Sequence, residues 1–299
     1  MTRQTPHAPH RIRGAVTRSP TEDDAPILGD VTTTPDSVQP VRRPVSEEAS
    51  RRANREDWDA YADEYQSTHG SFLGDVGFVW GPEGHAEAEL QVLGTVSGRR
   101  VLELGSGAGQ CARWLRSQGA EAYGLDLSER QLQHSRRIDD ETGIAVPSVC
   151  GTATALPFPG VTFDVVFSSF GALQFVADAA LMVGEVARVL SPGGTFAFSV
   201  THPIRWSMPD DPGPEGLTVA NSYWDRTPYV EEDERGTPRY VEHHRTLGDW
   251  VGLLHGGGFA LRALHEPEWP EGHDRVWGGW GPVRGRLVPG TAIFVADLR

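Results

Sequence analysis

Val101-Leu102-Glu103-Leu104-Gly105-Ser106-Gly107-Ala108-Gly109 is an apolar strand running into a three-glycine turn and then into a helical stretch from Gln110 to Ser117. A chain that reverses between strand and helix needs glycine for its backbone angles, and a bulky ligand needs glycine to approach the backbone. The stretch therefore points to a doubly wound α/β fold holding a nucleoside-type cofactor. Spacing chooses among such cofactors. A dinucleotide fingerprint places its third glycine where this chain has Gln110, whereas here that glycine comes one residue early, at Gly109. Glu103, two positions before Gly105, would repel a pyrophosphate but not a cofactor with a cationic end.

A second strand, 122 to 126, ends in Asp126, 21 residues after Gly105. That is about the separation at which such folds present an acid to ribose hydroxyls. Together Glu103, Gly105, Gly107, Gly109 and Asp126 resemble the S-adenosylmethionine site of the class I methyltransferases, and the chain is similar to the bacterial, small-molecule, type 11-like members. The likeness extends through the segment Cys150-Gly151-Thr152-Ala153, through 163 to 170, and through 186 to 194. It covers roughly 53 to 299, with 101 to 200 the specific part; segments 58 to 65, 201 to 203 and 268 to 273 carry the full-length resemblance. Many members have Asp where this chain has Thr152, whose hydroxyl is a weaker acceptor for an adenine amino group. The resemblance implies S-adenosylmethionine as cofactor, contacted by Glu103, Gly105, Ser106, Gly107, Gly109, Gln110, Asp126, Leu127, Gln131, Thr152, Ala153 and Ser168. It also implies an N-terminal helical lid whose aromatic hydroxyl, from Tyr65 or else Tyr61, reaches the methionine carboxylate.

The coarse pattern alternates as a mostly parallel, Rossmann-like seven-stranded sheet with one antiparallel strand should: strand 100 to 104, helix 109 to 118, strand 121 to 126, helix 128 to 142, strand 147 to 150, strand 163 to 168, helix 178 to 190, strand 195 to 200. The closing pattern is helix 247 to 255 and strands 259 to 265 and 291 to 297. Residues 1–50 are rich in Pro, Thr, Asp and Arg, a composition expected of a disordered tail. Residues 51–98 read as the helical lid: one helix from 47 to about 66 carries Trp58, Tyr61 and Tyr65 on one face, and another spans 84 to 93. Residues 99–299 form the cofactor-binding domain, interrupted at 202–246 by an insertion over the substrate pocket. Within it, 223 to 229 and 240 to 245 are expected to pair as strands around Asp233-Glu234-Arg235-Gly236.

Composition excludes several chemistries. The 299-residue chain carries a net charge of −14, against a nucleic-acid partner. It contains no lysine, hence no Walker-type, Schiff-base or general-base lysine. Its two cysteines, Cys111 and Cys150, form no metal-type spacing and suit a reducing cytoplasm. No metal site is expected, and no eighteen-residue apolar run suggests a membrane partner. At the place where nucleic-acid base methylation needs Asn or Asp with Pro-Pro, the chain reads Ser168-Ser169-Phe170-Gly171. The expected partner is a small-molecule acceptor.

Methyl transfer needs alignment in a dry pocket and, where the acceptor carries a proton, a base. His202, directly after the fifth strand, is the candidate general base, with His243, His244 and His69 next; each has a competing structural reading. Tyr61, His69, Trp206, Tyr223, His243, Arg245 and Trp269 are candidate substrate-pocket residues, their aromatic members equally able to form the insertion's own core. Two other classes remain open: a protein that binds the cofactor without turnover, and a nicotinamide dehydrogenase.

Overall fold

The computed structural model describes residues 39–299. A seven-stranded sheet is ordered β4-β3-β2-β5-β6-β10-β9. Its strands are β2 (Arg100–Leu104), β3 (Glu121–Asp126), β4 (Ser148–Cys150), β5 (Phe163–Ser169), β6 (Leu190–Thr201), β9 (Phe259–His265) and β10 (Thr291–Leu298). All neighbours are parallel except β10, which runs antiparallel to both β6 and β9. The central strands β2, β5, β6 and β10 are mostly buried because both faces are covered, whereas the edge strands β4 and β9 are largely exposed. Alternation divides the side chains: Leu102, Leu104, Phe196, Phe198 and Phe294 join one core cluster with Met182, Val186 and Trp250. Val101, Val165, Phe167, Ala197 and Ile293 join the other, against Leu115, Phe78 and Trp80.

The connecting helices are α3 (Gln110–Ser117), α4 (Glu129–Thr142), α5 (Ala179–Val189) and α6 (Leu247–Gly256), with a short α7 (Pro282–Gly285) before β10. α4 starts at Ser128, whose side chain accepts from the Gln131 amide, and α6 starts with a capping box of Thr246 and Asp249. The strand order reverses direction between β2 and β5, so the crevice at their carboxyl ends is where a ligand sits in this architecture.

Three expectations need correction. Helix α1 runs Glu47–Leu73, beyond the expected end near 66, because buried His69 and neighbouring Phe72 pack their rings on Trp277. The helix expected at 84 to 93 shrinks to α2 (Glu87–Leu90). The Glu87 carboxylate turns back to accept from Trp80 Nε1 and from the amides of Val92 and Leu93, and Gln91 takes a left-handed conformation that ends the helix. The part of the expected tail that lies within the described residues is ordered. β1 (Gln39–Arg42) pairs antiparallel with β7 (Tyr229–Glu232), which pairs with β8 (Pro238–Glu242) in a separate three-stranded sheet. The insertion's hairpin thus forms, but from 229–232 and 238–242; Asp233 Oδ1 fixes its turn by accepting from the amides of Arg235 and Thr237. The remainder of the expected tail, 1–38, lies outside the described residues.

Candidate active site

α1 lies across the carboxyl ends of β2, β3 and β5 and closes a continuous cleft beneath it. One half, with about 890 Å³ of space free of atoms, is lined by Asp126, Leu127, Gln131, Thr152, Ala153, Thr154 and Glu47; the other, with about 1040 Å³, by Glu103, Ser106, Gln110, Tyr61, Phe170 and Trp277. Trp58, Tyr65, Gly105, Gly107 and Phe175 line both.

The three glycines of the turn all have positive φ, at 68°, 52° and 75°, and each has its own reason. A Cβ on Gly105 would stand 2.6 Å from the Ala172 Cβ, and one on Gly109 would stand 2.7 Å from Ser135 Oγ, so these two allow close packing against the turn after β5 and against α4. At Gly107 a Cβ meets only Gln131 Oε1, at 3.9 Å; this glycine keeps the cleft itself open. Asp126 stabilises the turn from the next strand: Oδ2 accepts from the Gly107 amide at 2.7 Å and Oδ1 from the Ser128 amide at 2.8 Å.

Glu103 is buried at the floor of the cleft, where Oε2 accepts from the Ala112 amide at 2.9 Å. Burial raises its pKa to about 8 and that of Asp126 to about 6, in each case against hydrogen bonds that favour the charged form. Cys111, in the first turn of α3, has its thiol pushed well up by burial and by neighbouring Glu103, which outweighs any help from the helix dipole.

The lid is clasped by amides. Gln110 Nε2 donates to Gln66 Oε1 at 3.1 Å, and Gln66 Nε2 donates to Gln131 Oε1 at 3.0 Å. Asp59 Oδ1 accepts from Ser128 Oγ at 2.7 Å. At the far corner Thr152 Oγ1 lies 3.0 Å from Thr154 Oγ1, which donates to Glu47 Oε1 at 3.2 Å.

Of the expected cofactor contacts, Tyr65, Glu103, Gly105, Ser106, Gly107, Gln110, Asp126, Leu127, Gln131, Thr152 and Ala153 line the cleft. Gly109 caps α3 behind the loop, and Ser168 is buried in β5, its neighbour Ser169 lining the cleft instead. The structure removes most of the expected pocket residues. His202, expected as the general base, is buried outside the cleft lining, with Nε2 2.8 Å from Glu266 Oε1 and Nδ1 accepting from the Ile204 amide, and it caps a 3₁₀ turn. His69 stacks on Trp277 at 4.2 Å, behind the lining. His243 Nε2 lies 2.9 Å from Ser50 Oγ, and His244 Nε2 lies 2.7 Å from the Tyr223 carbonyl oxygen. Arg245 donates to the carbonyls of Val176 and Ala177, and the Tyr223 hydroxyl accepts from the Leu247 amide. Trp206 packs within the insertion under Arg205 and Arg42, and Trp269 against Gly285, with Nε1 donating to the His273 carbonyl. Of the pocket residues expected, Tyr61 lines the cleft. Sequence reasoning missed Trp58, Phe170, Phe175, Tyr240, Trp277 and Glu47 as lining residues. Trp58 was visible on the same helix face as Tyr61 and Tyr65; Phe170, at φ 56° with its amide donating to Ser199 Oγ, carried no local signal.

The methyltransferase domain family matches residues 102–198. Over 182 residues the chain is 30% identical to a demethylmenaquinone methyltransferase of Beutenbergia cavernae, covering 61% of this chain and 70% of that protein. The S-adenosylmethionine-dependent methyltransferase of Mesorhizobium loti is 30% identical, with a TM-score of 0.53 over 73% of this chain and 100% of that one. The chain belongs to the S-adenosylmethionine-dependent methyltransferases. A demethylmenaquinone methyltransferase of Thermus thermophilus is 41% identical over 98 residues, but the chain spans 44% of its length, and it spans under half of other curated relatives.

The cleft of this methyltransferase fits the family's cofactor. Position 107 is open where a Cβ would intrude, and Glu103 and Asp126 line the cleft, where they would hold the ammonium of the methionine end and the ribose. Glu47 brings an acid to the corner where many members carry Asp in place of Thr152.

Proposed function

We propose that the protein transfers a methyl group from S-adenosylmethionine to a small, largely apolar acceptor seated among Trp58, Tyr61, Phe175 and Trp277. One observation carries the reading: the glycine-loop half of the cleft opens directly into an aromatic half under the same lid. When bound, the cofactor supplies an electrophilic methyl on a sulfonium. The chain's part is to position both partners and exclude water. The amides of Gln66, Gln110 and Gln131 hold the lid down, and the rings of Trp58 and Trp277 wall the reacting end from solvent.

No histidine lines the cleft among the described residues, so alignment rather than proton abstraction supplies the rate. Demethylmenaquinone, in the name of the Beutenbergia relative, belongs in the panel of acceptors to be tried. Against a macromolecular nucleic-acid substrate stands the net charge of −14. No helix among the described residues is long and apolar enough to cross a membrane, and the two free cysteines suit a cytoplasmic setting. The test is incubation of purified protein with methyl-labelled S-adenosylmethionine and an acceptor panel. S-adenosylhomocysteine should accumulate together with label in the acceptor; tight cofactor binding with no turnover on any acceptor would instead support a sensor or accessory role.

A further inference from the structure

Gln174, in the 3₁₀ turn Leu173–Phe175, lines the acceptor half of the cleft together with the rings of Phe170 and Phe175. It is 7% exposed. Nε2 donates to the Phe170 carbonyl at 3.1 Å, while Oε1 is buried and has no hydrogen-bond partner among the described residues. The first bond fixes the amide, because turning it over would set Oε1 against the Phe170 carbonyl oxygen. Oε1 is therefore an acceptor held in one orientation and left unpaired, a costly state for a buried oxygen.

Two features show that this arrangement is built. Phe170 has φ 56°, a left-handed conformation that a bulky residue rarely adopts and that concentrates at functional sites. Its amide donates to Ser199 Oγ at 2.8 Å, and its carbonyl is the one that holds Gln174. The turn is also fastened on both sides. The His243 amide donates to the Gln174 carbonyl at 2.8 Å, and a Cβ on Gly171 would stand 3.0 Å from the Gly105 carbonyl oxygen, so the turn after β5 packs straight onto the glycine loop. Oε1 thus keeps a fixed position relative to whatever that loop binds.

We propose that Gln174 determines specificity and that the acceptor is a planar aromatic molecule bearing an N–H or O–H group, whose hydrogen bond Gln174 Oε1 accepts. This rests on the methyltransferase reading above. The rings of Trp58, Phe175 and Trp277 give any flat molecule contact area and distinguish little among them; the amide oxygen does distinguish. A donor-bearing acceptor pairs Oε1. An analogue with no donor seals it from water unpaired, and one that presents a lone pair there meets it acceptor to acceptor. A site built around a polar contact rejects the molecule that lacks the group far more sharply than an apolar pocket sorts shapes. The same bond turns the ring one way in its plane, which is the alignment that an in-line transfer needs.

The experiment is calorimetry on the full chain saturated with S-adenosylhomocysteine, using two pairs of probes matched in shape: indole against benzothiophene, and phenol against fluorobenzene. The hydrogen-bond donor of each pair should bind at least about tenfold tighter. Gln174→Met keeps the length of the side chain and removes the oxygen, so the preference should shrink to under about threefold, while Gln174→Glu keeps an acceptor oxygen and should retain it. Affinity for S-adenosylhomocysteine should change less than about twofold in both variants, which also shows that they are folded. Should either fail to fold, the comparison on the unaltered chain decides alone. Equal binding within each pair, no measurable binding of indole and phenol at millimolar concentration, or a preference that survives in Gln174→Met overturns the proposal and leaves the methyltransferase reading standing. Failure of S-adenosylhomocysteine itself to bind overturns that reading, and this one with it.

Discussion

Glu103 sits in the free protein with a pKa of about 8, raised by burial, and a ligand ammonium beside it favours the ionised form. Binding at pH 7 should therefore release up to roughly nine-tenths of a proton. Calorimetry in buffers of different ionisation enthalpy should show that release, and Glu103→Gln should abolish it; an enthalpy independent of buffer would reject the placement of a cation there. The same shift bears on stability. A carboxyl whose folded pKa lies above its unfolded value stabilises below the unfolded pKa and loses that contribution as pH rises through the folded one. Asp126, at about 6, acts in the same direction. His69 and His243, held near 4 mainly by burial, act in the opposite direction between about pH 4 and 6.5. The clear window is therefore pH 6.5 to about 9, across which the melting temperature of the free protein should fall and the Glu103→Gln protein should fall less. Glu103, the glycines and Asp126 were legible because their roles are written in adjacent residues and one fixed spacing. The role of His202 was not, because its partner Glu266 is 64 positions away and nothing local announces it.

At the scale of elements, the lid is built from two distant stretches. Ala53 of α1 packs with Val230 of β7 and Val241 of β8, buried Asn54 both donates to the Val241 carbonyl and accepts from its amide, and β1 extends the hairpin sheet. Arg43, just after β1, pairs with Glu232, and Ser46 caps α1 by accepting from the Ala49 amide. Removing residues 1–46 therefore deletes an edge strand, an ion pair and a cap. The cap alone is worth about 1 kcal/mol, and each net ladder bond about 1 kcal/mol. A chain starting at 47 should melt several degrees below one starting at 39, with weaker S-adenosylhomocysteine binding because the turn of α1 that carries Glu47 frays. Equal melting temperatures would show that β1 contributes nothing. The elements of the large sheet were readable from apolar runs and turn residues. β1 was not: Gln39-Pro40-Val41-Arg42 is four residues with one large apolar side chain, and it is a strand only because β7 offers an unpaired edge.

The whole molecule makes the choice between cofactors. A doubly wound sheet with a glycine loop at its reversal point serves dinucleotides as readily as S-adenosylmethionine, and the fold alone decides nothing. What decides is the cleft's length and charge. Past the glycine loop it does not run on to a second nucleotide pocket but meets Trp58, Phe175 and Trp277, and its floor at that end is the carboxylate of Glu103. A pyrophosphate on the loop would hold Glu103 in its neutral form, whereas an ammonium draws out its charge, and no lysine in the chain or arginine lining that half among the described residues balances the phosphates. Ligand binding to the folded state alone raises stability by about 2.7 kcal/mol at a concentration one hundred times the dissociation constant. In a domain of this size that amounts to roughly 5 to 10 °C in melting temperature. S-adenosylhomocysteine should produce such a rise, and Asp126→Ala should remove it, while losing a few degrees of its own melting temperature because the carboxylate also holds the Gly107 and Ser128 amides. NADH at the same concentrations should leave the melting curve where it was; a rise with NADH in place of S-adenosylhomocysteine would mean that the charge at the cleft floor had been assigned to the wrong ligand.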